Sequence, residues 1–318
     1  MTERAIKTIK WDFKPITKAG LYSGVSLEIY HQAKICDGPS VSSSGLRKLF
    51  SESPAHFYAE WPGNPNREDQ DDKPHFVLGR AVHHLMLGEP FFAKLFAVQP
   101  DEYPDKVTGE MKKWTYGAAF CKKWRDQQWK DGKAILTTAD VANIRGMAER
   151  LGANPLVRHG ALNGLIERSG FFKDKPTGLW VKIRPDAIPT DSGDYTDLKT
   201  TVSVRWNELC RAIFEFGYHQ QLALIRTGAR ELGLPFNSAS LIFVEKTSPW
   251  CERIVTVKDS DLDRGERANR AALDAMARCI KSGHWPGPGG EREDAEHIEM
   301  PEWAQKQIDD RLEYGIAT

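Results

Sequence analysis

The sequence predicts an α/β fold, a mixed central sheet flanked by helices, with helical additions in its N-terminal half. Three observations predict it. Apolar residues recur at helical spacing through most of the first 160 positions, then at a period of two from Glu167 onward. Beyond that switch, strand-like and helix-like stretches alternate to the end of the chain. With 318 residues, 40% of them apolar, there is enough material for one large core.

Taken in order, residues 1–25 read as extended. In SVSSSGLRKLFSESPAHFYAEW, Ser42–Ser44 supply caps for a helix carrying Leu46, Leu49 and Phe50 at helical spacing, and Pro54 opens a second with Phe57 and Tyr58. PGNPNREDQDDKPHF, residues 62–76, reads as an exposed loop whose acidic stretch 67–72 is solvated. VLGRAVHHLMLGEP is a compact apolar helix holding His83 and His84. Residues 111–131 interleave lysines with Trp114, Trp124 and Trp129 on one helix, and Thr137 to Asp140 is a capped start to the next. GFF, GLWVKIRPDAI and DYTDLKTT follow as strands, with turn chemistry at DKPTG and PTDSGD. A helical stretch broken at Gly217, two strands (SASLIFVEK and ERIVTVK), a helix from about Asp261 to Ser282, a PGPGGERED loop and a terminal helix complete the chain. The expected organisation is one domain, 1–318. It has a mainly helical part over 1–160, an α/β core over 161–285 and a C-terminal loop and helix over 286–318.

Charge and cysteine content narrow the function classes. Lys plus Arg and Asp plus Glu number 44 each, so any attraction for nucleic acid must be local. Five scattered cysteines without a CxxC pair argue against a zinc ribbon or an iron–sulfur ligand run and fit reduced thiols. The start, MTERAIKTIKWDFKP, lacks a signal-peptide apolar region, and no apolar run is long enough to span a bilayer. The expectation is a soluble, cytoplasmic protein without a membrane partner.

RPDAIPTDSGDYTDLKTT, residues 184–201, carries the chemistry. Side chains two apart on a strand share a face, so Asp197 and Lys199 point the same way. A hairpin centred near Ser192 would bring Asp186 opposite Asp197, or opposite Lys199 after a one-step shift of the turn. Two carboxylates at cross-strand distance repel unless a cation sits between them. Mg²⁺ suits that place, because it takes oxygen ligands and keeps several waters. A lysine beside it could position a water and offset charge on a phosphate. Metal, water and lysine together make a hydrolytic site for phosphodiesters. The competing reading is an exposed hairpin with ordinary surface charge.

Pro185-Asp186 followed by Asp197-Leu198-Lys199 resembles the PD-(D/E)XK nuclease signature. The surrounding chain resembles the exodeoxyribonuclease VIII (RecE-type) family, which is RecB-like. The matching features are DGPSVSSS with Gly45-Leu46, SPAHFY, and Leu78-Gly79 with Ala81 and His83. Further on come Glu167 before Arg184-Pro185-Asp186, DLKTT, Tyr218-His219 with Gln221, and MPEWA. The resemblance implies a restriction-endonuclease-like core. It implies that Asp186 and Asp197 bind a divalent metal, Mg²⁺ with Mn²⁺ as substitute, with His83 a further ligand or close neighbour. Lys199 would orient the water, Glu167 would lie near the metal, and Gln221 and Tyr218 would support the site or touch DNA. Ile225 stands where RecB-like members often carry tyrosine, which bears on Gln221 more than on the metal site. Taken alone, His83 on an apolar helix reads as a core residue, and His84 and His219 are read as structural. Arg184, Lys122 and Lys123 are candidate DNA contacts, the lysines from KKWRDQQWK, which could equally be a solvated helix face.

The function so implied is a 5′→3′ exonuclease on linear duplex DNA ends, leaving 3′ single strands. A RecT-like annealing protein would take these up in phage-type recombination. A homo-oligomeric ring and a phage or prophage origin in a bacterial host go with it. Two alternatives stand beside it: a RecB-like endonuclease or 3′-directed nuclease, and a catalytically inactive DNA-binding or interaction module.

Overall fold

Two sheets position the residues singled out above. The structure is a computed structural model that describes residues 6–68, 74–88, 92–166, 168–290 and 294–315, and only the backbone for 74–76. The first sheet has the order Thr8–Lys10, Gly20–Ser23, Ser169–Lys173, Trp180–Ile183, Ser40–Ser42. Its centre is the antiparallel pair Ser169–Lys173 and Trp180–Ile183, with Phe172 opposite Val181. The DKPTG turn closes that pair as its composition predicts. Asp174 accepts from the Thr177 N–H at 3.1 Å and from Thr177 Oγ1 at 2.5 Å, and Gly178 takes a φ of 72°. Both faces are covered, which is why WVKI reads as a near-continuous apolar run; even Lys182 is buried there.

The second sheet runs Asp194–Thr201, Ser238–Glu245, Glu252–Thr256. The first two strands are parallel, Asp197 beside Leu241 and Lys199 beside Phe243. A parallel pair needs a crossover, and helices Trp206–Glu215 and Tyr218–Leu232 make it. Tyr195, Leu241 and Phe243 pack with Leu222, Ala223 and Ile225 of that crossover. Leu198, Ile242 and Val244 on the opposite face pack with Ala81, Val82 and Met147.

The hairpin expected between Asp186 and Asp197 does not form. Ala187–Ile188 pairs instead with Leu165–Ile166, and Asp194–Thr201 takes its ladder from Ser238–Glu245. Pro185 ends the preceding strand, leaving a two-residue remnant. An eight-residue strand buried on both faces pairs better with another of the same kind. Segment 111–131 is also not one helix. Met111–Lys113 forms a short antiparallel ribbon with Glu102–Pro104, and the helix spans Ala119–Lys130. The Trp114 and Trp124 rings then meet edge to face at 5.4 Å, tying ribbon to helix. Of the loop expected at 62–76, residues 69–73 lie outside the described residues.

Most helix signals hold. Thr137 and Asp140 form a reciprocal capping box, Ser53 caps the Pro54 helix, and Gly217, at φ 61°, separates the two crossover helices. Ser42 opens the helix Ser43–Ser51, but its hydroxyl makes no capping hydrogen bond and pairs with Ser44 Oγ at 3.0 Å instead. Among the described residues no helix is long and apolar enough to cross a membrane.

Helix Asp259–Ser282 lies against Tyr218–Leu232, and Gly265 sets how close they come. A Cβ there would sit 2.7 Å from the His219 carbonyl oxygen and 3.0 Å from the Gln220 Cα, both backbone. Asn269 adds a hydrogen bond to the Gln220 carbonyl at 3.0 Å. Substituting Gly265→Ala should therefore lower stability by about 1–2 kcal/mol, overpacking outweighing the helix propensity gained. Urea denaturation followed by circular dichroism checks this, and an unchanged midpoint would refute the close packing.

Candidate active site

The site is assembled on the edge of a strand. Asp194–Thr201 has a ladder partner on one side only, so backbone groups on its other edge need partners from elsewhere. The Leu198 N–H donates to Asp186 Oδ2 at 2.7 Å. Asp186 reaches it because Arg184-Pro185 breaks the neighbouring strand and turns the chain across this edge. The other oxygen of Asp186 faces His83 Nδ1 at 3.4 Å, from helix Pro74–Met86.

Asp197 and Lys199 lie side by side, as their spacing requires, with the lysine ammonium against Asp197 Oδ2. Gln221 Nε2 donates to Asp197 Oδ1 at 2.8 Å. The Lys199 ammonium also lies 5.2 Å from the centre of the Tyr218 ring. Asp186, Asp197, Lys199, His83, Gln221 and Tyr218 thus come together from one strand, the bend after Pro185 and two helices. A broad cleft opens on Asp186, Lys199, His83 and Gln221, and Arg47 lines it as well.

Asp197 is only 2% exposed, and its environment is divided. Burial pushes its carboxyl above the usual range, the Lys199 ammonium opposes that, and the Asp186 charge adds to it. Asp186 stays below the usual range although burial acts the other way, held by His83, Lys199 and the Leu198 N–H. Burial would lower His83 and Lys199. For both, the acidic neighbours prevail and hold the pKa up. The cluster is a buried alternation of charges in which each carboxylate is stable only beside positive charge.

Arg47, Lys182 and Arg125 were not legible as site residues. Arg47, on helix Ser43–Ser51, donates to the Phe216 carbonyl, and burial lowers its pKa against the pull of Asp197 and Tyr218. Its signal in sequence was one basic residue four positions after a serine cap, which any amphipathic helix carries. Arg184 donates through one nitrogen to the Val25 carbonyl at 2.7 Å and to Ser169 Oγ at 2.9 Å, so part of its guanidinium is committed to the fold. Lys122 and Lys123 are exposed but do not line the cleft. From that segment Tyr116, Arg125 and Trp129 do. His84 is buried among Phe92 and Phe96, and His219 lies 3.0 Å from the Ile213 carbonyl oxygen, in keeping with structural roles. Glu167 lies outside the described residues.

Among the described residues no three His, Cys, Asp or Glu side chains are arranged to hold a metal ion. Of the expected set of His83, Asp186 and Asp197, His83 faces Asp186 as its charge partner. The donor chemistry still fits a hard divalent cation. Two clustered carboxylates, one buried and one partly so, are what Mg²⁺ takes from a protein, and the Asp197 oxygen that meets Lys199 accepts no well-formed hydrogen bond. Asp186 and Asp197 are the residues that would hold it.

A PD-(D/E)XK-like nuclease fold is the class that this architecture defines. The chain belongs to the family described as PDDEXK-like domain of unknown function (DUF3799), whose model matches residues 42–297. No curated protein matches it. Among solved structures, the chain is similar to an exonuclease candidate from Eubacterium rectale, at 12% identity and a TM-score of 0.54, over 90% of this chain and 94% of that one. Fainter likenesses are to a phage-related exonuclease from Haemophilus somnus 129PT and to an alkaline exonuclease from Laribacter hongkongensis. The first has 13% identity, 64% and 95% coverage and a TM-score of 0.30. The second has 14% identity, 53% and 87% coverage and a TM-score of 0.26. At these identities the likeness concerns the fold.

Two outcomes follow from the site's electrostatics. Lys182 donates to the Tyr30 carbonyl at 2.7 Å, and burial lowers its pKa from 10.5 to about 8. Between those values the unfolded chain holds a proton that the folded one has released, so this group makes stability rise with pH from about 8 to about 10.5. The difference between wild type and Lys182→Met should therefore change in that window and be flat below it, as thermal melts across pH will read. Gln221→Ala should raise the Mg²⁺ concentration for half-maximal cleavage by about 10- to 100-fold, the usual effect of removing a group that orients a ligand. A Mg²⁺ titration of cleavage rate measures it, and an unchanged midpoint would remove Gln221 from the site.

Proposed function

We propose that this chain is a metal-dependent DNA exonuclease. The observation that supports it best is the cluster of Asp186, Asp197 and Lys199, in which Asp186 and Lys199 line a broad cleft and Asp197 is buried against the lysine. A site that places two carboxylates and a lysine ammonium within reach of an extended polyanion suits phosphodiester hydrolysis. The bound divalent cation, Mg²⁺ or Mn²⁺ in its stead, would supply Lewis-acid charge against the scissile phosphate oxygens. Lys199, its ammonium against Asp197, would orient a water and offset charge on a phosphate oxygen. Gln221 fixes the rotation of Asp197, and His83 and the Leu198 N–H fix that of Asp186.

The finer reading is of the exodeoxyribonuclease VIII type. It would digest linear duplex DNA from 5′ ends, act as a homo-oligomeric ring and hand 3′ single strands to an annealing protein in phage-type recombination. The support for it is the run of motifs from DGPSVSSS through DLKTT to Gln221.

The test uses linear duplex DNA labelled at the 5′ or the 3′ end, with Mg²⁺ or with chelator. Wild type should release label from 5′ ends only when Mg²⁺ is present. Asp197→Ala and Lys199→Ala should each lower the rate by at least about 100-fold, the scale of losing one preorganised charge. Equal activity in Asp197→Ala would overturn the site. Release from 3′ ends alone, or cutting of closed circles, would overturn the polarity or the exonuclease mode and favour the alternative nucleases.

A further inference from the structure

We propose that Tyr116, Arg125 and Trp129 form a stacking station for unpaired DNA bases at the wall of the cleft. It deepens the nuclease reading, on which the choice of DNA as occupant rests. Three observations carry it. All three side chains line the same cleft as Asp186 and Lys199. The two rings are exposed to an unusual degree for large aromatics, Tyr116 at 64% and Trp129 at 59%. And the three are held as one block. The Arg125 guanidinium lies 4.7 Å from the Tyr116 ring centre and 5.8 Å from that of Trp129, and donates to the Tyr116 carbonyl at 3.1 Å.

The block stands on a firm base. Trp114 and Trp124 pack edge to face, Tyr103 stacks on Phe120 at 6.1 Å, and Cys121 is fully buried beneath the same helix. The exposed rings are therefore displayed on an ordered support.

The chemistry selects the occupant. A flat ring flanked by a guanidinium offers a π-face and a cation together. That pair suits a nucleobase with its attached phosphate, and it is tolerant of sequence because every base has a π-face. In a duplex the base faces are stacked on one another except at the outer faces of the terminal pairs, so an unpaired strand presents far more of them. Lys133, which also lines the cleft, adds positive charge for the backbone of that strand. Lys122 and Lys123, on the same helix but away from the cleft, are not part of the station.

Binding is measured by fluorescence anisotropy in chelator, so that no hydrolysis contributes. The probes are a short oligothymidylate, a strand of equal length made of abasic sites, and a blunt duplex. Trp129→Ala and Tyr116→Ala should each weaken oligothymidylate binding by about tenfold, within the range known for one base–aromatic stack. The abasic strand should bind wild type at least as weakly as oligothymidylate binds Trp129→Ala, and the blunt duplex should be much less affected by either substitution than oligothymidylate is. Trp129→Phe, which keeps a π-face, should recover most of the loss and shows that the site itself is intact.

An equal loss on the abasic strand, or on the blunt duplex, would overturn the station and leave a merely electrostatic or structural role. Unchanged oligothymidylate binding in both alanine variants would overturn it too. The two readings fail separately. If wild type does not cut linear duplex with Mg²⁺ but the base-dependent losses are seen, the nuclease reading falls and the station stands. If it cuts and the losses are absent, the station falls alone.

Discussion

The hydrogen bond from the Leu198 N–H to Asp186 is the contact on which the site depends. It joins the broken end of one sheet to the open edge of another, and both carboxylates take their places from it. An edge strand leaves backbone donors without ladder partners, and water is largely kept from this edge. A carboxylate that accepts one of them is ordered in orientation and held below its usual pKa. The same bond places Asp186 close enough to Asp197 for each to feel the other's charge.

Around this bond the fold supplies positive charge from three directions. Lys199 comes from the same strand as Asp197, His83 from a helix packed on the strand's far face, and Arg47 from the helix beside Gly217. No one element could present them all, since residues on a single strand or helix face share one direction. Precision then depends on packing remote from the chemistry. Gly265 lets helix Asp259–Ser282 approach the backbone at His219 and Gln220, one residue before the amide that orients Asp197. A side chain at that glycine would be felt at the carboxylate.

The cleft resolves the puzzle of a chain with no net charge that is read as a DNA enzyme. Its charges balance over 318 residues, but arginines and lysines collect along one concavity that also holds Asp186. Local concentration of one sign is what a polyanion senses at short range, since distant charges are screened.

The sequence by itself determined most of the helices, the switch to a strand period, the capping box at Thr137, the break at Gly217 and the common face of Asp197 and Lys199. All of these follow from spacing along a local backbone. The convergence of Asp186 on that face was also legible, but its cause was not. A hairpin was the nearest local explanation, whereas the real agent is a parallel partner strand 44 positions on, Asp194 beside Ser238, which leaves one edge open for Asp186. Sequence carried no sign of which side of Ala119–Lys130 would meet the cleft, so its lysines were favoured over Arg125 and Trp129. Strand pairing and the facing of a surface helix are decided by which buried surfaces fit one another over long separations in the chain. That is why only the tertiary structure could settle them.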